Sequence, residues 1–222
     1  MTAEKEKALN NKPIVDLGLL SEKYYITDYI QVGNPELRSI AESISAENEE
    51  DLIMQVLSFI AKTIEYPLDY RGRPTAARHV KVFKWWNGFY LADQNSEYGW
   101  LLPNQTVAIK KGICFDTSCL CTTLLRIRGV KAYTVLGAVL KTRRRRFLGF
   151  HAWTEATTSI GQRLVLETTV HPKPAKPVPA EQIYGGKLSI TYDPIAWFNE
   201  QEYHEDIEKA KLYEETYLYG GA

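Results

Sequence analysis

The stretch Lys111-Gly112-Ile113-Cys114-Phe115-Asp116-Thr117-Ser118-Cys119-Leu120-Cys121 runs directly into Thr122-Thr123-Leu124-Leu125-Arg126-Ile127-Arg128-Gly129, and the fold turns on it. Gly112, two residues before Cys114, lets the backbone make a tight approach to a helix start. Cys121, Leu124, Leu125 and Ile127, with Leu120 one turn before Leu124, predict a mostly buried helix. Gly129 is the expected stop just past its last turn. Cys114 then falls at a helix N-terminus, where unpaired N–H groups and the macrodipole favour a thiolate. Asp116 suits the first turn of a helix but opposes a thiolate, so a nucleophilic Cys114 requires a partner base. Free cysteines are ordinarily small core residues, and Cys119 and Cys121 fit that role inside the apolar helix.

Upstream of this helix the pattern changes twice. Pro35 opens a helix at its favoured first position, with Leu37, Ile40, Ala41 and Ile44 on one face. Asn48 reads as the N-cap of a second helix whose start is loaded with Glu49, Glu50 and Asp51. Its apolar stripe runs from Leu52 to Ile64 and stops before Pro67. Residues 79 to 93 alternate instead: Val80 and Val82 flank Lys81, an aromatic cluster comes next (Phe83, Trp85, Trp86), and Asn87-Gly88 precedes Phe89-Tyr90-Leu91. Asn-Gly between two β-rich runs predicts a hairpin. With Tyr98 and Trp100, this segment is either an aromatic layer of the core or a wall over a substrate groove.

Downstream, Lys131 to Leu140 and Phe147 to Thr157 read as strands joined by a basic connection, Lys141 to Arg146. Arg143-Arg144-Arg145-Arg146 reads as a solvated hairpin tip, since the rest of the chain is not basic. A third strand, Arg163 to Thr169, comes after Gly161. Pro172, Pro174, Pro177 and Pro179 then mark an extended, non-helical segment. Lys187 to Tyr192 reads as a last strand. Asn199 with Glu202 three residues on resembles a capping pair, which predicts a C-terminal helix through about Tyr217.

At 222 residues and 25.4 kDa the chain can bury a full core. One domain spanning 1–222 is the default, with a core at about 36–170, an N-terminal arm at 1–34, and a Pro-rich segment and helix at 171–222. Lysine plus arginine and aspartate plus glutamate both total 27, which lends no support to a nucleic-acid or membrane-surface partner. The charged N-terminus has no apolar run behind it, and no stretch reaches membrane-spanning length. Three clustered cysteines do not make a disulfide framework, so the expected compartment is a reducing cytoplasm. Cysteines without a neighbouring histidine do not give zinc spacing and no calcium-loop pattern occurs, so no metal or other cofactor is expected.

The candidate chemistry depends on residues downstream of the cysteine. In His151-Ala152-Trp153-Thr154-Glu155, period-two alternation puts His151, Trp153 and Glu155 on one strand face. Glu167 ends the apolar run Leu164-Val165-Leu166, where a carboxylate is expensive to bury without a partner. If the strands pair antiparallel, Glu167 reaches His151 across the ladder, fixes its tautomer and holds it toward Cys114. Glu155 is a second candidate for that role, placed further along the strand of His151 itself. Nucleophile at a helix start, base on one strand and orienter on the next is the logic of a thiol acyl-transfer enzyme.

Gly112-x-Cys114-x-Asp116, with Leu124-Leu125-Arg126-x-x-Gly129-Val130-x-Ala132 after it, resembles the cysteine block of the transglutaminase-like superfamily. His151-Ala152-Trp153-x-Glu155 resembles its histidine block, and Arg163-x-x-Leu166-Glu167-x-Thr169 sits where the family has Trp-x-x-Leu-Asp-x-Thr. Ile60-x-x-x-Ile64-x-Tyr66-x-x-Asp69 is similar to its helix-then-tyrosine lead-in. Glu167 replaces the usual Asp, and Arg163 the usual Trp. The resemblance implies an α+β fold with a papain-like/transglutaminase-like core. A helix bearing the cysteine packs on an antiparallel sheet, with extra N-terminal helices and a C-terminal helix. It implies Cys114, His151 and Glu167 as catalytic residues acting on a protein or peptide substrate. Trp100, Gln105 and Trp153, with Asn104, are candidates for oxyanion or substrate contacts. Hydrolysis of an amide is the expected outcome. Capture of the acyl group by an amine, as in a transglutaminase, is the alternative, and a non-catalytic interaction module is the reading of a different class.

Overall fold

The computed structural model describes residues 25–66, 80–85, 88–93, 100–169 and 174–219, with backbone alone at 80–85, 88–93, 144 and 214–219. Its helices are α1 (Pro35–Ser43), α2 (Glu49–Thr63), α3 (Pro103–Ile109), α4 (Cys114–Ile127), α5 (Ala180–Tyr184) and α6 (Ile207–Tyr219). Strands β1 (Val80–Trp85) and β2 (Gly88–Asp93) form a separate antiparallel pair. A six-stranded antiparallel sheet contains β3 (Lys131–Lys141), β4 (Arg146–Thr157), β5 (Arg163–Leu166), β6 (Val178–Pro179), β7 (Ile190–Phe198) and β8 (Tyr203–Glu205), in the order β6-β5-β4-β3-β7-β8.

The helices begin and end where local chemistry directs. The Asn34 side chain accepts from the Glu36 and Leu37 N–H groups ahead of α1, and Asn48 accepts from Asp51 N–H ahead of α2. Helix α4 ends with Gly129 in the left-handed region (φ 81°), while Val130 N–H reaches back to Leu125 C=O at 3.0 Å. That pairing closes the last turn and turns the chain into β3.

Side-chain alternation along β5 sorts the core into two layers. Leu164 and Leu166, with Ala132 and Ala156, pack against Leu120, Cys121, Leu124 and Leu125 of α4 and the apolar faces of α1 and α2. Val165 points the other way and joins Val135, Trp153 and Tyr192 under Ala180 and Ile183 of α5. Helix α4 is therefore enclosed, with eleven residues from Phe115 to Leu125 buried. Several of its polar groups bond the sheet or the segment that follows it. Thr154 donates to Ser118 C=O at 3.0 Å, Thr134 donates to Thr122 at 2.8 Å, and Thr117 and Thr168 share a bond at 2.7 Å. These bonds fix the height of α4 against the sheet, because a buried hydroxyl out of register would be left unpaired.

The N-terminal arm from Tyr25 packs onto this core. Ile26, Tyr29 and Ile30 are buried with Phe115 and Phe198, and Gln31 bonds both Thr123 and Asn104. The β1–β2 pair forms, with Trp85 opposite Gly88. The side chains at 80–93 and residues 86–87 and 94–99 lie outside the described residues, and the expected aromatic wall lies there with them. The connection Thr142–Arg144 is a short helical turn leading into Arg145, which is exposed and 3.6 Å from Asp193.

The C-terminal third departs from the sequence reading in three places. The strand expected at Lys187 to Tyr192 is Ile190–Phe198, lying beside β3. Pro194 hid it: proline removes a ladder donor, and here it sits where the pairing with β3 shifts register. Asn199 does not open a helix. Its Oδ1 accepts from the Gln201 and Glu202 N–H groups at 2.8 and 3.0 Å in the turn from β7 to β8, and Asp206 caps α6 instead. A short side chain bonding N–H groups two and three residues on serves a turn as well as a helix start, so the motif alone does not separate them. Helix α5 begins directly after Pro179, where the sequence reading places no element.

Gly137 lies opposite His151 in the β3–β4 ladder. A Cβ there would meet the Asp193 carbonyl oxygen at 2.4 Å and Trp153 Cη2 at 2.5 Å. Gly137→Ala is expected to lower stability by about 1–3 kcal/mol through overpacking, measured as the shift in urea midpoint at unchanged slope.

Candidate active site

Cys114 is the first residue of α4, held there by Asp116. The Asp116 carboxylate accepts from Ile113 N–H and from Leu101 N–H, each at 2.9 Å, and is fully buried. It ties the loop before α3 to the loop before Cys114. Burial raises its pKa from 3.8 to about 7 against the pull of those two N–H groups. Phe115 anchors the same turn, stacked on Trp100 at 4.2 Å and edge-on to Tyr29 at 5.1 Å.

His151 projects from β4 beyond the last point of β4–β5 pairing, Thr154 opposite Leu166. Glu167, the first residue after β5, is 8% exposed and turns to the ring, with its two oxygens 3.2 and 3.1 Å from Nε2. The same ring hydrogen-bonds Cys114. With Nε2 engaged by the carboxylate, Nδ1 is the nitrogen left for sulfur. Burial opposes charge on the ring and is the largest influence. The Glu167 charge and the bonds to Cys114 and Glu167 together outweigh it and hold His151 well above 6.5.

Two aromatic rings fix the imidazole. Trp153 lies near-parallel at 6.3 Å between centroids, and Tyr192 stands edge-on at 5.7 Å. The Tyr192 hydroxyl also bonds Glu167, and burial followed by the Glu167 charge raises its pKa well above 10. The structure thus brings Cys114, His151 and Glu167 together from a helix start and two neighbouring strands.

The other sequence candidates divide. Glu155 is taken up by Arg163, at 2.9 and 3.0 Å, and by the Tyr184 hydroxyl at 2.7 Å, so it does not orient His151. Trp153, expected to contact substrate, is instead fully buried with its indole N–H on Tyr184 at 2.9 Å, and meets the site through His151. Gln105 is exposed and its Oε1 accepts from Leu102 N–H at 2.9 Å, a capping bond rather than an oxyanion contact. Asn104 N–H donates to Gln31, and its buried Oδ1 has no partner among the described residues. Trp100 stacks on Phe115.

Sequence reasoning passed over Tyr66 and Tyr192. Tyr66 stood in the lead-in motif without a role, yet its hydroxyl oxygen accepts from the Cys114 backbone N–H. Tyr192 gave no signal, since contact with Glu167 depends on β7 crossing to the far side of β3. Cys119 and Cys121 are fully buried free thiols, with Cys121 pushed up to about 12 by burial. Among the described residues no group of three or more His, Cys, Asp or Glu is arranged to hold a metal ion, and no helix is long and apolar enough to cross a membrane.

A family profile described as a transglutaminase-like domain matches residues 35–161, more than half of the chain. The chain belongs to the transglutaminase-like superfamily. Similar solved structures include Legionella pneumophila LapG, at 14% identity and a TM-score of 0.44, covering 82% of this chain and 96% of that one. A Cytophaga hutchinsonii structure described as a candidate cysteine protease is 17% identical with a TM-score of 0.44, covering 91% of this chain and 60% of that one. A structure described as a TGase is 17% identical with a TM-score of 0.43, covering 73% of this chain and 36% of its own length. No curated protein matches the sequence.

Asp116 makes stability depend on pH with a definite sign. The unfolded carboxyl releases its proton near 3.8, while the folded one holds it to about 7. Between those values the unfolded state binds fewer protons, so stability falls as pH rises. In Asp116→Asn that fall is expected to shrink by up to about 4 kcal/mol, at about 1.4 kcal/mol per unit. Urea unfolding of both proteins from pH 4 to 8 measures the difference.

Proposed function

We propose that this chain is a thiol-dependent acyl-transfer enzyme that hydrolyses a protein or peptide amide through a thioester on Cys114. The observation that carries the reading is the chain of contacts from Glu167 to His151 to Cys114, on a helix N-terminus, in a transglutaminase-like fold.

The reaction begins from a pair in which the Cys114 proton already resides on His151 Nδ1, while Glu167 holds the ring through Nε2 and stabilises its positive charge. Sulfur attacks the amide carbonyl carbon, and the carbonyl π pair moves to oxygen. The tetrahedral species collapses, the C–N bond breaks, and His151 gives its proton to the departing amine. Water, with His151 again as base, attacks the thioester, and the S–C bond breaks to release the acid and regenerate the thiol. Each step uses only side chains of this chain and water.

Support for an enzyme over a non-catalytic module lies in the cost of the arrangement. A carboxylate 8% exposed, a largely buried imidazole and a thiol in one contact chain cost stability unless each charge is paired. A module that only holds a partner requires none of the three. The longer Glu167, where the family has Asp, fits the same role because Tyr192 tethers its carboxylate.

Iodoacetamide labelling, read by peptide mass, tests the assignment. Cys114 is expected to label fast and Cys119 and Cys121 slowly. His151→Ala is expected to slow Cys114 labelling at pH 7 by about 100-fold or more. Cys114→Ala is expected to abolish hydrolysis of casein. Equal, slow labelling of all three cysteines would favour the module.

A further inference from the structure

Acyl transfer through Cys114 requires two donors to the tetrahedral oxygen, and a helix N-terminus supplies one of them, the Cys114 N–H. The second is found by asking what already lies against that N–H. Tyr66 is pinned there by backbone. Glu65 N–H donates to Lys110 C=O at 2.9 Å, Gly112 N–H donates to Glu65 C=O at 3.2 Å, and Glu65 bridges Lys111 in parallel register. This links the residue before Tyr66 to the loop that delivers Cys114. The ring packs against Leu101 and Ile113, and the hydroxyl oxygen accepts from the Cys114 N–H. It therefore lies beside the place where the oxygen of an attacked carbonyl must come.

We infer that Tyr66 is a catalytic residue whose phenol engages the Cys114 N–H at rest from beside the oxyanion site and donates its O–H to the oxyanion when the tetrahedral intermediate forms. The inference rests on the acyl-transfer reading above. A phenol accepts and donates at a single oxygen. As sulfur bonds to the carbonyl carbon and the π pair moves to oxygen, the Cys114 N–H changes acceptor from Tyr66 to the new oxyanion. The Tyr66 O–H rotates about its C–O bond to donate to the same atom. No proton leaves Tyr66. When the C–N bond breaks, the carbonyl re-forms and the N–H returns to the phenol.

This exchange favours the transition state over the bound substrate, which is the condition for raising kcat. The N–H is satisfied in the free protein, so the site carries no orphaned donor, yet the anion holds it more strongly than a neutral phenol does. Tyr66 also stays protonated. Burial, then the charges of Cys114 and Asp116, raise its pKa well above 10. Of the other candidates, Gln105 is held by its cap and Trp153 by Tyr184.

Two reactions of the same thiol test the assignment in the full-length chain. Acylation by p-nitrophenyl acetate passes through an oxyanion, whereas alkylation by iodoacetamide forms the S–C bond at a saturated carbon and raises none. In Tyr66→Phe, which keeps the ring, the p-nitrophenolate burst is expected to slow about 100-fold, with Cys114 alkylation within about twofold of the parent. Tyr66→His, which restores a donor, is expected to recover part of the burst. An undiminished burst in Tyr66→Phe overturns the inference. So does a matching loss in both reactions, which would assign Tyr66 to the thiol or the fold. A parent chain with no burst beyond that of Cys114→Ala would overturn the acyl-transfer reading itself, and this inference with it.

Discussion

The arrangement depends on one buried helix being held at one height against one sheet. Apolar packing, being non-directional, sets that height less sharply than directional hydrogen bonds do. The hydroxyl bonds set it. Thr134 to Thr122 and Thr154 to Ser118 C=O join α4 to β3 and β4, and Thr117 to Thr168 joins it to the segment just after β5, all inside the core. A shift of one turn would orphan several of them at about 1–3 kcal/mol each. Thr117 lies three residues after Cys114 and Thr168 one residue after Glu167, so the bond that sets the register also sets the distance between Cys114 and Glu167.

A second constraint acts at the helix start. Asp116 spends its carboxylate on the N–H groups of Leu101 and Ile113, and so decides where the chain enters α4. It is buried and titrates near neutrality, at about 7, which makes it a structural tie more than a fixed negative charge beside the thiol. Sequence position suggested a charge that opposes a thiolate; burial reduces that opposition.

The sequence was most informative where one chemical requirement had one solution. Gly129 ends α4 because a left-handed residue is needed there, and β3, β4 and β5 were legible from alternation and β-branched content. The meeting of His151 with Glu167 came from antiparallel pairing of adjacent strands. The region after Arg163 was less legible because its signals are ambiguous. Pro194 breaks a strand pattern without ending the strand, and Asn199 makes the bonds of a cap inside a turn. Tyr66 and Tyr192 were not legible because their partners are set by long-range crossings, β7 beside β3 and the α2 exit beside the Cys114 loop, which leave no local trace in spacing.

The central claim is that Glu167 and Cys114 hold the His151 imidazole as a cation in the folded protein. Nitrogen-15 NMR of the imidazole through a pH titration reads this directly. The account predicts that His151 keeps both ring protons well above pH 6.5 and that Glu167→Gln brings its midpoint down toward the ordinary histidine range. A ring that titrates near 6.5 in both proteins would contradict it.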